Sequence, residues 1–144
     1  AESVAKLLNE DLIDLAQLHG NEDETYIANL KKLTAKPLIK AVKVSTEEEV
    51  KKAFDTVADE VLLDHGKGTG KTFDWSLLKN IQKTDKLLFL AGGLTPENAA
   101  QAVKTVAPDV VDVSSGVEKE VLPGEAFAGK DAEKIRKFVE NIRL

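Results

Sequence analysis

The sequence predicts an α/β fold built on a parallel sheet, and three observations predict it. Five short apolar runs rich in Val, Leu and Ile recur along the chain, and such runs are typical of strands buried on both faces. Amphipathic stretches with helical spacing separate these runs. The runs begin about every 22 to 27 residues, which is the period of (βα) units joined by right-handed crossovers.

Predicted strands and helices alternate from one end of the chain to the other. We predict strands at residues 13–18, 37–44, 61–63, 87–91 and 110–113. We predict helices at residues 3–8, 22–33, 46–57, 74–81, from 95 onwards, and from 130 to 142. Thr46 with Glu49 forms a capping-box signature, and Thr95 precedes Pro96 at a first helical position. Because no linker or low-complexity stretch divides the chain, we predict one domain over residues 1–144.

Two architectures accommodate five parallel strands with helices between them. One is an open, doubly wound sheet, and the other is part of an eight-stranded barrel. The periodicity of the sequence does not separate them, so the residues at the strand ends must do so.

Composition and charge exclude several classes of function. The 144 residues are 42% hydrophobic and 31% charged, which is typical of a globular domain. A net charge of −5 argues against nucleic acid or an anionic membrane as partner. No apolar run approaches a membrane span, and no secretion leader is visible. Cysteine is absent, which excludes disulfides and thiolate sites within the chain and favours a cytoplasmic location.

The carboxyl ends of the predicted strands carry the candidate functional residues, because this is where parallel α/β proteins place their sites. Asp64 directly follows the apolar run 61–63 and precedes no immediate helix, so a capping role is disfavoured. A carboxyl group at a barrel mouth is partly removed from water, which suits a general acid. His19 is either a hydrogen-bonded structural residue or a ligand-binding one. With His65 it shows no metal-ligand spacing, so we predict no metal site.

A glycine- and lysine-rich stretch at residues 66–72, GKGTGKT, is similar to a nucleotide-binding P-loop. That motif requires four residues between its first glycine and its Gly-Lys-Ser/Thr. Gly66 and Gly70 have only three residues between them. The stretch is therefore interpreted as an active-site loop with a lysine that can reach an anion.

Two further strand ends predict an anion site. Gly92 and Gly93 precede the helix start at Thr95, so backbone N–H groups are available at a helix N-terminus. Ser115 and Gly116 follow the last predicted strand. Phosphate sites formed by the loops after the last two strands recur in (β/α)8 barrels. The sequence therefore predicts a phosphorylated small-molecule ligand.

Four motifs together resemble the phosphoribosylanthranilate isomerase family. They are QLHG (17–20), GTGKTFDW (68–75), AGGLTPEN (91–98) and VDVSSGVE (111–118). The resemblance covers essentially the whole chain. It implies a (β/α)8 TIM barrel, with this chain supplying strands 4–8 and their helices. It also implies an Amadori rearrangement of N-(5-phosphoribosyl)anthranilate in tryptophan biosynthesis, with no cofactor and no metal.

The resemblance assigns roles to particular residues. Asp64 matches the family's general acid. The substrate- and phosphate-binding residues that it implies are Gln17, His19, Gly92, Gly93, Asp112, Ser115 and Gly116.

The sequence departs from the family in one respect that bears on activity. The family's general base is a cysteine on the first strand, and this chain has no cysteine. We therefore expect that it represents roughly the last two thirds of the enzyme, that it is inactive alone, and that it self-associates through open barrel edges. A non-catalytic, phosphate-binding half-barrel is the main alternative. A different phosphate-binding barrel enzyme, of the indole-glycerol-phosphate or histidine pathway, is a third possibility.

Overall fold

A computed structural model describes residues 1–64, 75–78, 84–120 and 129–143. Two features predicted from the sequence, the stretch 66–72 and the helix start at residue 74, lie outside the described residues. So do residues 123–126, where the sequence is longer than the family resemblance implies.

Five parallel strands form one sheet. They are β1 (Ala16–Leu18), β2 (Leu38–Lys43), β3 (Glu60–Asp64), β4 (Leu88–Ala91) and β5 (Val110–Val111). Each strand pairs with the next one along the chain, so the order is β1-β2-β3-β4-β5. A doubly wound sheet reverses its strand order at a switch point. The described sheet has no reversal, which is the order found in a (β/α) barrel.

Helices alternate with the strands as the sequence predicts, except that the described part of the helix predicted over 74–81 is a 3-10 turn. They are α1 (Glu2–Asn9), α2 (Glu24–Leu33), α3 (Glu47–Ala53), α4 (Pro96–Val106) and α5 (Ala132–Ile142), with 3-10 turns at Trp75–Leu78 and Ser115–Val117. The Thr46 capping box is confirmed, because Thr46 N–H donates to Glu49 Oε2 at 3.1 Å and Glu49 N–H donates to Thr46 Oγ1 at 3.2 Å. Thr95 is the N-cap of α4 and Pro96 takes its first position, as predicted. No helix in the described ranges is long and apolar enough to cross a membrane.

The sheet separates two layers of side chains. Towards the helices, Val61 and Leu63 of β3 are buried in the larger core cluster. On the other face, Leu62 is buried in a smaller cluster with Ile39 and Ala91. Side chains alternate between the faces of a strand, so the terminal Asp64 lies on the same face as Leu62. This inner face carries the candidate site.

The first and the last predicted strands are clearly shorter in the structure. The strand predicted from residue 13 begins at Ala16, because the backbone turns at Asp11 (φ 54°) and Ile13 N–H donates to Leu7 O at 3.4 Å. The strand predicted to end at residue 113 ends at Val111.

The third predicted helix also ends early, at Ala53 rather than residue 57. Glu24 of α2 draws the following backbone away from helical geometry. Its Oε2 accepts hydrogen bonds from Thr56 Oγ1 at 3.2 Å and from Val57 N–H at 2.7 Å. A contact between residues 33 positions apart thus ends the helix.

Candidate active site

The carboxyl ends of the strands surround an open cleft of about 350 Å³. The residues that line it are Gln17, His19, Leu62, Asp64, Ala91, Gly92, Gly93, Leu94, Asp112, Val113, Ser114 and Ser115. Seven of the eight candidate residues from the sequence are in this set. The eighth, Gly116, lies beside the cleft and has a different role in the structure.

Asp64 ends β3 in the middle of the sheet. Its neighbours in register are Lys43 of β2 and Ala91 of β4. The residue is half-buried, and Leu62 lies below it on the same face. Among the described residues, none donates a hydrogen bond to its carboxylate. The position therefore leaves a carboxyl group available to a ligand in the cleft.

Two consecutive glycines shape the loop after β4. Gly92 has φ 87° and Gly93 has φ 67°, in the left-handed region that side chains with a Cβ rarely adopt. Asn98 of α4 holds this loop, because its Nδ2 donates to Gly93 O at 2.9 Å and its Oδ1 accepts from Thr95 N–H at 2.8 Å. One amide side chain thus holds both Gly93 and Thr95 of this loop.

The available donors lie in the loops rather than in the first turn of α4. Thr95 N–H is already bonded to Asn98, and Pro96 has no N–H. Within the described ranges, the N–H groups of Gly93, Leu94 and Ser115 have no acceptor. Backbone N–H groups that converge near a helix N-terminus favour an anion.

Lys130 holds the loop after β5. Its Nζ donates to Ser114 O at 2.9 Å, to Ser114 Oγ at 3.0 Å and to Glu118 Oε1 at 2.9 Å. An antiparallel bridge joins the backbones of Glu118 and Lys130. The chain that precedes α5 therefore supports the second candidate phosphate loop from outside the cleft.

Gly116 joins the two loops by close approach of their backbones. A Cβ built on Gly116 would lie 1.8 Å from Leu94 O. No side chain fits there without separation of the loops after β4 and β5. The predicted importance of Gly116 thus has a structural reason beyond an N–H group directed at a ligand.

We expect Gly116→Ala to weaken phosphate binding several-fold and to cost about 1–3 kcal/mol of stability, as overpacking typically does. Calorimetric titration with inorganic phosphate and thermal unfolding measure the two effects. Gly129→Ala is the control, because Gly129 has φ 78° but open space around it. Its left-handed backbone should lower the free energy of unfolding by about 1–2 kcal/mol, while phosphate binding is retained. Unchanged phosphate affinity in Gly116→Ala would contradict this role.

A second cleft of about 330 Å³ adjoins the first at the ends of β1 and β2. It shares His19 and Asp64 with the first, and it is also lined by Gly20, Asn21, Lys40, Ala41, Val42 and Lys43. Lys43 is exposed at the end of β2. In the part of the chain that the structure describes, no three His, Asp or Glu side chains are placed to hold a metal ion.

Sequence reasoning missed the residues that support the site from behind. Asn98, Lys130 and Lys40 hold loops rather than line the phosphate end of the cleft. Asn98 stands in the motif at residues 91–98, but it is not among the site residues predicted from the sequence. Lys40 lies inside a predicted buried strand. A charged residue at such a position is a sequence signal for a buried ion pair.

Comparison with known proteins tests the resemblance seen in the sequence. The sequence profile of the family described as N-(5'phosphoribosyl)anthranilate (PRA) isomerase matches residues 1–141. The chain belongs to this family. The resemblance seen in the four motifs is thereby confirmed.

Individual members of the PRA isomerase family agree with the match. The N-(5'-phosphoribosyl)anthranilate isomerase of Endomicrobium trichonymphae is 46% identical over 123 residues, which cover 81% of this chain and 58% of that protein. The crystal structure of phosphoribosyl anthranilate isomerase from Thermotoga maritima superposes with a TM-score of 0.77 at 35% identity. The superposition covers 98% of this chain and 67% of the Thermotoga maritima chain.

A third similar structure contains a ligand. It is a phosphoribosyl anthranilate isomerase in complex with reduced 1-(o-carboxyphenylamino)-1-deoxyribulose 5-phosphate, with a TM-score of 0.75 and 34% identity over 98% of this chain and 65% of that one. Together with the strand order, these similarities show a (β/α) TIM-type fold. The chain spans 58% to 61% of the length of the first curated relatives it matches.

Proposed function

We propose that the complete protein converts N-(5-phosphoribosyl)anthranilate to the carboxyphenylamino-deoxyribulose phosphate in cytoplasmic tryptophan biosynthesis. One observation carries the proposal: a half-buried carboxyl group, Asp64, shares a single cleft with the backbone donors of the loops after β4 and β5. The phosphorylated ligand in a related isomerase supports the substrate class.

The two ends of the cleft suit the two ends of a sugar phosphate. The loops that carry Gly93 and Ser115 offer N–H donors to a phosphate. Asp64 is one strand away from β4, and adjacent strands are about 4.8 Å apart. A pentose whose phosphate is bound by these loops therefore extends its ring towards Asp64. Gln17 of β1 and Asp112 after β5 also line the cleft, where they can contact the sugar hydroxyls.

The reaction is an isomerisation, and its proton transfers balance without an oxidant or a cofactor. Asp64 donates a proton to the furanose ring oxygen, the C1–O bond breaks, and the substrate nitrogen supplies the electron pair that forms the Schiff base. A base then removes the C2 proton, and the resulting enamine becomes the 2-keto product. The family resemblance makes that base a cysteine, which we place outside these 144 residues because none of them is cysteine.

We further propose that the five strands correspond to strands 4–8 of an eight-stranded barrel. The sequential order of the strands supports this assignment. So does the match to 67% of the Thermotoga maritima chain.

An assay of the complete protein tests the function. Consumption of phosphoribosylanthranilate, followed by fluorescence, is expected, with competitive inhibition by inorganic phosphate. Gly93→Val should raise KM at least about tenfold, because a β-branched residue at φ 67° is strained and its side chain enters the cleft. A complete protein that leaves the substrate unconsumed would overturn the proposal. Phosphate inhibition that Gly93→Val leaves unaltered would remove the phosphate site from these loops.

A further inference from the structure

A largely buried lysine and a glutamate hold the loop that follows β1, the strand farthest from the phosphate loops of β4 and β5 in the strand order. Lys40 Nζ donates to Gly20 O at 2.9 Å and to Glu22 Oε2 at 3.1 Å. The same Glu22 oxygen accepts from Gly20 N–H at 2.9 Å. Both polar groups of Gly20 are thus bonded to one ion pair.

The burial of this pair is unusual for its position. The side chain of Lys40 is 13% exposed and that of Glu22 is 26% exposed, the lowest values among the ion pairs of the described residues. Lys40 alternates along β2 with Ile39 and Ala41, which puts it on the same face as the buried Leu38. Removal of an ammonium group from water is unfavourable, so an apolar residue would serve packing better here.

The loop that this pair holds carries the residues that line both clefts. His19 immediately precedes Gly20 and lines both clefts, while Gly20 and Asn21 line the second one. His19 is exposed, and none of the described residues makes a side-chain hydrogen bond to it. Its direction therefore depends on its backbone, and glycine on its own leaves that backbone free. Lys40 and Glu22 remove this freedom because they bond to the peptide groups on both sides of Gly20.

We propose that Lys40 and Glu22 are positioning residues that orient His19 towards the substrate. The inference rests on the proposed isomerase function, and it assigns the pair no contact with the reacting atoms. Their effect passes through the two peptide groups of Gly20. A shift of about 1 Å in a group that positions substrate lowers rates by up to about 100-fold.

Steady-state kinetics of the complete protein give the first test. Lys40→Met is expected to lower kcat about 10- to 100-fold while KM changes less than threefold, because the phosphate loops lie at β4 and β5. In the double variant that combines Lys40→Met with His19→Ala, kcat should be no lower than in His19→Ala alone, because both changes remove the same contribution of His19. Multiplied losses would show that the pair acts independently of His19 and would overturn the proposal.

NMR relaxation gives a second test that does not depend on activity. The amide groups of His19 and Gly20 should be ordered in the unaltered protein and mobile in Lys40→Met. Glu22→Gln should have the same effect in weaker form, and it serves if Lys40→Met does not fold. Unchanged amide order in the folded variants would overturn the proposal. Altered order in a protein without isomerase activity would instead refute the proposed function alone.

Lys31→Met is the matched control. Lys31 Nζ also donates to a carboxylate and a backbone carbonyl, at Asp59 Oδ1 (2.6 Å) and Val57 O (3.1 Å). These contacts lie before β3, at the opposite end of the strands from His19. The control should lose some stability but leave kcat and the order of the His19 amide unchanged. A change in either readout would mean that loss of any such lysine disturbs the loop, which would also count against the proposal.

Discussion

Asp64→Asn in the complete protein is expected to lower kcat by at least about 100-fold, the loss typical of a missing general acid. The amide has nearly the shape of the carboxyl group, but it cannot donate a proton to the ring oxygen. The phosphate loops are untouched, so KM should change much less. Steady-state fluorescence kinetics measure both constants.

Asp109→Asn is the control for this experiment. Asp109 precedes β5 at the other end of the sheet, where its Oδ2 accepts from Leu88 N–H at 2.8 Å. Its loss removes a structural hydrogen bond and should reduce stability by about 1 kcal/mol without an effect on kcat. If Asp64→Asn turned over substrate at nearly the normal rate, Asp64 would have no part in the chemistry.

A polypeptide of only these 144 residues is expected to show no measurable isomerase activity and to be oligomeric or poorly folded. Among the described residues, β1 pairs only with β2, and β5 pairs only with β4. An unpaired strand edge favours association with another chain. On β5, Val110 is 36% exposed. Five strands cannot close an eight-stranded barrel, and the chain contains no cysteine to act as base.

Complementation extends this prediction. A separately expressed piece bearing the first three (βα) units of the family should restore both a defined size on a sizing column and turnover. The same piece with its cysteine changed to serine is the control, and it should restore size alone. An active monomer of 144 residues would show that the barrel assignment or the base assignment is wrong.

The candidate site was largely predictable because strand ends have a recognisable sequence pattern. Asp64 follows three apolar residues, and Gly92 with Gly93 precedes a recognisable helix start. In a parallel sheet all such ends meet at one edge, so side chains far apart in sequence come together. The cleft contains seven of the eight predicted residues, whereas their roles in binding and catalysis stay predictions.

Element boundaries were less predictable, because contacts from distant residues ended them. The helix predicted over 46–57 stops at Ala53 because the carboxylate of Glu24 binds the backbone that follows. Propensity and periodicity describe a window of neighbouring residues, and they contain no information on a carboxylate more than 30 positions away.

The sequence by itself determined the fold class, the family and the chemistry-bearing strand ends, because hydrophobic period, helix caps and short motifs are local properties of the chain. Only the tertiary structure decided the strand order, which distinguishes a barrel-type sheet from a doubly wound one. It also revealed the supports behind the site: Lys40 with Glu22, Lys130 with Ser114, and Gly116 against Leu94. Each support joins residues 16 to 22 positions apart, and such contacts exist only after the (βα) units have packed together.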